Sequence, residues 1–214
     1  MEQANSTKQI KKGALISYIT IAFNMIAGLI YTPWMIESIG KNNYGLYTLA
    51  TSIITLFVLD FGMTAAVSRF VSKYNAEGNQ EKVNNFLGIV YKMYLALDLI
   101  IFLALFVLFF FLGNVYDGLT VSELQTFKSL YLVVGLFSIV SFPFTNLNAI
   151  MTAYEQFAPQ KLCDLFNKAF TIVAMIIALL LDYGVFALVM VNAISGILTI
   201  VLKFLIIKIK TPIK

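Results

Sequence analysis

The chain has 214 residues, of which 60% are hydrophobic and 12% charged, against roughly one quarter charged in a soluble domain, so it reads as an integral membrane protein. It contains no histidine and one cysteine, which excludes a His-ligated metal site, a Ser-His-Asp triad, a Cys-His nucleophile pair and an internal disulfide. The formal charge is +4, but the lysines lie at the ends of apolar runs and form no basic patch interleaved with exposed aromatics, so nucleic acid is not an expected partner.

A transmembrane helix needs about 20 mostly apolar residues, because each rises about 1.5 Å through about 30 Å of hydrocarbon. Six segments meet that test in chain order: 14–39, 44–68, 86–113, 127–153, 162–181 and 185–207. The first begins KQIKKGALISYITIAF. Its basic start suggests a signal peptide, but the apolar run is too long and no small-residue cleavage site follows. Between the last two segments only Asp182, Tyr183 and Gly184 remain, which requires a tight turn. The expected organisation is a basic N-terminal segment 1–13, a six-helix transmembrane lobe 14–207 and a basic tail 208–214. The fold class is an all-α membrane protein.

Alternating six helices across the bilayer puts both termini on one side, with residues 69–85 and 152–161. Of the fifteen basic residues, only Lys41 and Lys128 fall on the other side. The positive-inside rule then makes the termini cytoplasmic and turns the loop GNVYDGLTVSE outward.

Polar side chains recur at helical spacing inside these spans. The first carries Ser17, Thr20, Asn24, Gly28 and Tyr31; the fourth carries Ser141, Thr145, Asn148 and Thr152. The sixth carries Asn192, Ser195, Thr199 and Lys203, whereas the fifth is polar mainly near its cytoplasmic end, at Asp164, Asn167, Lys168 and Thr171. Such residues either bond helices together, each contributing about 0.6 to 2 kcal/mol, or line a shared wet cavity. Three stripes in one small bundle favour the cavity. Gly62 and Ala66, four apart, read as a packing contact.

Asp60 is an acid near mid-helix, where a charge costs about 2.5 to 3.5 kcal/mol unless protonated, paired or hydrated, so it is a candidate to bind a cation or proton. Arg69 follows nine residues later. At about 100° per residue that is about 900° of turn and about 13 Å of rise, so the two cannot pair within the helix. Arg69 is either a snorkelling topology anchor or a phosphate contact. Asp98 is a second intramembrane acid and shares a face with Tyr91 and Tyr94, whereas Lys92 lies off that face and nearer the cytoplasmic interface. Asp164 and Lys168, spaced i,i+4, read as a solvated interfacial pair. Pro33 and Pro143 are expected to interrupt the first and fourth helices, either as static kinks or as breaks beside a substrate site.

Three stretches carry a resemblance: YTPWMIESIGKNNYGLYTLATSI, LDFGMTAAVSRFVSKYNAEGNQEKVNNFLG and AYEQFAPQKLCDLFNKAFTIVAMIIALLLDYGVFALV. With the basic N-terminus, they resemble the lipid-linked oligosaccharide flippases of bacterial O-antigen and capsule synthesis, within the multidrug/oligosaccharidyl-lipid/polysaccharide exporter superfamily. Members have two six-helix lobes around a central cavity, and the resemblance covers the N-terminal one. It implies a polyprenyl-diphosphate-linked glycan as substrate, moved from the inner to the outer leaflet of the bacterial cytoplasmic membrane by alternating access. Membrane lipids are the other expected partner. Arg69, Lys92 and Lys168 would contact the diphosphate or the membrane surface, and Asp60, Asp98 and Asn24 would line or approach the cavity. Asn148 and Asn192 join these candidates from the helix stripes. No cofactor is expected beyond a coupling cation or proton. Either a second lobe lies elsewhere, or a homodimer related by a two-fold axis along the membrane normal completes the cavity. The competing readings are a cation-coupled multidrug exporter, whose cavity would be acidic and aromatic, and a non-transporting scaffold in envelope polysaccharide assembly. An enzyme is disfavoured, since no exposed loop is long enough to carry an acid-base pair.

Overall fold

A computed structural model describes residues 2–57 and 62–213. In a hydrocarbon solvent every backbone N–H and C=O must be satisfied within the segment itself, so apolar spans become helices. Those found are α1 (Glu2–Ile39), α2 (Lys41–Phe57), α3 (Met63–Ala76), α4 (Gln80–Val115), α5 (Val121–Ser141), α6 (Leu147–Ala153), α7 (Phe157–Leu180) and α8 (Gly184–Lys210), with a 3-10 turn, Phe142–Phe144, between α5 and α6. No strand occurs among the described residues.

The connections carry their own chemistry. The Asn79 carboxamide oxygen accepts from the Lys82 amide at 3.0 Å and starts α4. At α5, the Thr120 hydroxyl accepts from the Glu123 amide while the Glu123 carboxylate accepts from the Thr120 amide at 2.9 Å, a reciprocal capping box. The expected tight turn before α8 is present. Asp182 and Gly184 adopt positive φ, 56° and 68°, and the Tyr183 amide reaches back to the Ala178 carbonyl at 3.1 Å.

Among the described residues five stretches are long and apolar enough to cross a membrane: Gln9–Ile39, Gln80–Val115, Val121–Ala153, Phe157–Leu180 and Gly184–Lys210. The remaining expected span, 44–68, takes in most of α2 and the start of α3, with residues 58–61 outside those described. The two together match the depth of α5 through α6. At one end Asn42 donates to the Glu123 carboxylate at 2.9 Å, and at the other the Ser72 hydroxyl donates to the Ala153 carbonyl at 3.3 Å; both pairs are 81 residues apart in sequence. The same offset carries Gly62 onto Pro143, so the two neighbouring spans are broken at one level.

Each break has a local cause. Gly62 precedes α3 with φ 78° and ψ 8°, a left-handed conformation that cannot continue a helix and that only glycine adopts cheaply. A Cβ there would meet nothing within 4 Å. Gly62 is therefore not the packing contact that its spacing from Ala66 suggests. Pro143 sits at the start of the 3-10 turn, where its missing amide and its ring stop the α-pattern. Pro33, by contrast, does not interrupt its helix: it lies inside α1, which continues to Ile39. A proline deletes one amide, and a long span tolerates that loss.

Two apolar clusters are stacked along the bundle. One gathers Val67, Val71, Val83, Val90, Tyr94, Phe142 and Ile150 from α3, α4, the 3-10 turn and α6. The other gathers Leu46, Ala50, Leu105, Phe127, Val134 and Val189 from α2, α4, α5 and α8. A third, with Met35, Met175, Leu179 and Leu188, fastens α1 and α7 to α8. Gly13 lies against Phe157, where an added Cβ would approach the Phe157 Cβ to 3.0 Å, so α1 and α7 run side by side in the same direction.

Gly62→Ala should cost about 1 to 2 kcal/mol through the left-handed φ alone, read as a lower midpoint of reversible unfolding in detergent. Gly45→Ala, inside α2 with no atom near the added Cβ, should be neutral or stabilising by up to about 1 kcal/mol.

Candidate functional site

The break at Pro143 opens one side of the bundle. A cavity of about 460 Å3 lies there, walled by Phe137, Ser141, Phe144, Thr145, Leu147 and Asn148 from the broken span, Asp164, Asn167 and Lys168 from α7, and Gly196, Thr199, Ile200 and Lys203 from α8. Two of the three polar stripes, those of the fourth and sixth spans, therefore converge with the polar end of the fifth span on one space. Gly196 matters to its shape, because a Cβ at that position would collide with the Phe137 ring.

Its electrostatic centre is Lys203, only 7% exposed. The ammonium donates to the Asp164 carboxylate at 2.7 Å and to the Asn148 carboxamide oxygen at 2.8 Å. A buried cation needs such partners, since burial without them costs several kcal/mol. The second Asp164 oxygen lies 3.8 Å from the half-buried Lys161 ammonium. Asp164 is thus held by Lys203 and Lys161, not by Lys168 as its i,i+4 spacing suggests; Lys203 reaches it from the facing helix. Lys168 is exposed and makes no ion pair among the described residues, which leaves its charge available at the cavity wall. The lining carries two ammonium groups against one carboxylate.

Other parts of the stripes are glue. Asn167 donates its amide hydrogens toward the Ser195 carbonyl and hydroxyl and the Thr199 hydroxyl at 3.0, 2.9 and 2.7 Å. Thr171 donates to the Ser195 hydroxyl at 2.6 Å. This knot clamps α7 to α8. Asn192 points elsewhere, donating to the Tyr47 hydroxyl at 2.8 Å across to α2. On α1, Ser17 and Thr20 bond back to the Gly13 and Ile16 carbonyls one turn earlier, and Asn24 is half-buried outside the cavity wall.

Of the remaining candidates, Asn148 and Lys168 reach the cavity. Arg69 and Lys92 are exposed on α3 and α4, away from it. Asp98 is buried, at 9% exposure, but in the seam between α4 and α5 instead of the cavity wall. Asp60 lies outside the described residues. Lys203, Asp164 and Asn167 are the lining groups that the sequence reading underweighted. Their signal was present in the stripe spacing, and what it lacked was the pairing across helices.

These features define a multi-pass membrane protein with a polar, cation-bearing cavity between broken and unbroken helices. A sequence profile of the polysaccharide biosynthesis protein family matches residues 10–212, and the chain belongs to that family. Membership supports a polysaccharide-related transport role. No curated protein matches the chain, and no solved structure does.

Asp164→Leu should leave the Lys203 ammonium with Asn148 alone. Because Asp164 is 35% exposed, the cost should fall below that of a fully buried pair, at about 1 to 3 kcal/mol. Adding Lys203→Met should recover most of it, as measured by the same detergent unfolding.

Proposed function

We propose that the chain acts as a flippase lobe, moving a polyprenyl-diphosphate-linked oligosaccharide from the inner to the outer leaflet of the bacterial cytoplasmic membrane by alternating access. The observation that carries this reading is the cationic excess of the cavity. A diphosphate must leave water to cross hydrocarbon, and it needs ammonium groups and hydroxyl donors to replace its hydration. Lys168 offers an uncommitted charge and Lys203 a neutralised one behind it, while the Ser141, Thr145 and Thr199 hydroxyls on the remaining walls are donated to backbone carbonyls and would have to turn to serve a ligand. The volume lies in the range of small-molecule sites and suits a diphosphate with its first sugar, leaving the rest of the glycan in water.

The multidrug exporter is the second reading. A cavity for lipophilic cations would favour carboxylates and aromatic faces, whereas this one holds a single acid already paired to lysines. In the proposed mechanism the second half of the pathway comes either from another lobe or from a second copy of this chain. The termini face the cytoplasm in this reading, on the strength of the lysine distribution. Arg69 and Lys92, exposed on that side, then serve as anchors at the anionic leaflet surface.

Two experiments bear on it. In a Cys163→Ala background, Asp117→Cys should react with an impermeant maleimide added outside intact cells, and Lys210→Cys should react only after permeabilisation; the reverse pattern would invert the topology. With labelled polyprenyl-diphosphate sugar in detergent or liposomes, Lys168→Gln should weaken binding about tenfold, the worth of one charge-assisted hydrogen bond of ~1.5 kcal/mol. Lys92→Gln should leave it unchanged. Equal affinity for wild type and Lys168→Gln would remove the cavity from the substrate path.

A further inference from the structure

The opposite face of the broken span holds a different site. α4 and α5 pack antiparallel, and the pairing fixes their register. The Tyr94 and Phe142 rings meet at 5.4 Å. The Tyr131 hydroxyl donates to the Leu105 carbonyl at 2.8 Å, and a Cβ on Gly135 would touch the Leu105 side chain at 3.8 Å. Tyr94, Asp98 and Leu105 lie along one face of α4; Tyr131, Gly135, Ser138 and Phe142 lie along the facing side of α5, at spacings of four, three and four. Asp98 and Ser138 therefore occupy the same level of the seam, one turn from the Tyr94–Phe142 contact.

Each carries a buried polar atom with nothing to bond. Asp98 is 9% exposed and Ser138 3%. Asp98 Oδ1 and Ser138 Oγ are inaccessible to solvent and have no hydrogen-bond partner among the described residues. Around them are Tyr94, Leu97, Ile101 and Phe142, where the two stacked apolar clusters meet. Unsatisfied buried groups are rare, and each signals an absent partner or a functional state. An intramembrane carboxyl without a cation is a functional site by default.

We propose that Asp98, with Ser138 as its hydrogen-bonding neighbour, is a proton-binding site built into the α4–α5 seam. Asp98 Oδ1 and Ser138 Oγ are not bonded to each other in this structure; protonation gives the carboxyl a donor, and a side-chain rotation that brings it to the Ser138 hydroxyl would satisfy both orphaned atoms. On release the proton passes to water, and the seam must admit water or open to solvate the anion. A hard metal ion fits less well, since it takes about six oxygen ligands and the seam offers two side chains amid hydrocarbon. Charged groups on the packed elements lie well away along their helices. Arg69 and Lys73 on α3 are exposed seven and eleven residues beyond Gly62, Lys92 is exposed six residues from Asp98, and Lys128 stands ten residues before Ser138. The 3-10 turn contributes none, and Asp60 falls outside the described residues.

Position gives the site its consequence. Ser138 is adjacent to Phe137, which walls the cavity, and the 3-10 turn presents Phe142 to Tyr94 on one side and Phe144 to the cavity on the other. One broken helix thus forms a wall of both sites, and a proton leaving Asp98 would be felt at the cavity. The inference deepens the flippase reading and, as a proton site, can be tested without transport.

The test is difference infrared spectroscopy of the purified full chain in lipid, titrated from acidic to alkaline pH, with folding of each variant checked by circular dichroism. Wild type should show a buried carboxyl band that disappears reversibly as the pH rises. Asp98→Asn should lack the band, Asp98→Glu should restore it at a shifted frequency, and Ser138→Ala should keep it but change both its frequency and its midpoint. A band unchanged in Asp98→Asn would overturn the proposal, as would a Ser138→Ala spectrum identical to wild type. Loss of the band on adding sodium at fixed pH would do so too, by making a metal ion the occupant. If these spectra behave as expected while no glycan is flipped, the proton site stands and the flippase reading fails.

Discussion

Lys203 keeps its ammonium inside the bundle at 7% exposure, and much of the surrounding arrangement follows from neutralising that charge. Asp164 must come from α7 and Asn148 from α6, both within 2.8 Å, so three helices are held at the separation that leaves a cavity between them. An apolar residue on α8 would let the same helices close further. The α7–α8 knot of Asn167, Thr171, Ser195 and Thr199 sets the other end of that spacing with neutral bonds. A buried ion pair adds little net stability compared with a hydrophobic replacement. Its effect here is to specify which helices approach and how closely.

The second organising constraint is that two neighbouring spans break at one depth. Backbone groups freed inside hydrocarbon are tolerated only where protein or water satisfies them, and the bundle meets this at Pro143 in two ways. The Thr145 hydroxyl donates to the Phe142 carbonyl at 2.8 Å and the Ser141 hydroxyl to the Ser138 carbonyl at 3.2 Å, so side chains that line the cavity also bond the carbonyls of the interruption. The polar stripe of the fourth span therefore serves backbone repair and cavity lining together. In the adjacent span Gly62 is left-handed, a conformation that cannot propagate α-helical pairing.

Much of this was legible in the sequence because helical periodicity is a local property. Spacings of three and four put Ser141, Thr145 and Asn148 on one face, and likewise Thr199 and Lys203, and those faces meet. The separation of glue from lining was not legible. Ser195 and Thr199 stand one turn apart on the same stripe, and which of them bonds α7 and which also walls the cavity depends on how closely the neighbouring helix approaches at each height. The Lys203–Asp164 pair joins residues 39 apart, beyond any local rule, whereas the i,i+4 rule pointed to Lys168. Glycines and prolines were ambiguous for a related reason. Gly62 fits a small-residue contact by spacing, and only its φ shows that conformation is the reason for it. Pro33 and Pro143 look alike in sequence, but one lies within a helix that continues and the other at the point where α5 gives way to a 3-10 turn.

Two carboxyl groups among the described residues illustrate how environment divides identical chemistry. Asp164 and Asp98 are both carboxyls within apolar helices. Asp164 has an ammonium at 2.7 Å and opens onto a polar space, so its charge is compensated and fixed. Asp98 is buried with its Oδ1 unpartnered, and no cation lies within ion-pairing distance among the described residues. The first therefore acts as a fixed counter-ion that shapes a cavity, and the second is left as a group whose state depends on what arrives. Because α5 and the 3-10 turn separate them, the fixed acid and the uncommitted one sit on opposite sides of the same interruption, and the helix that carries the break is the element through which one can influence the other.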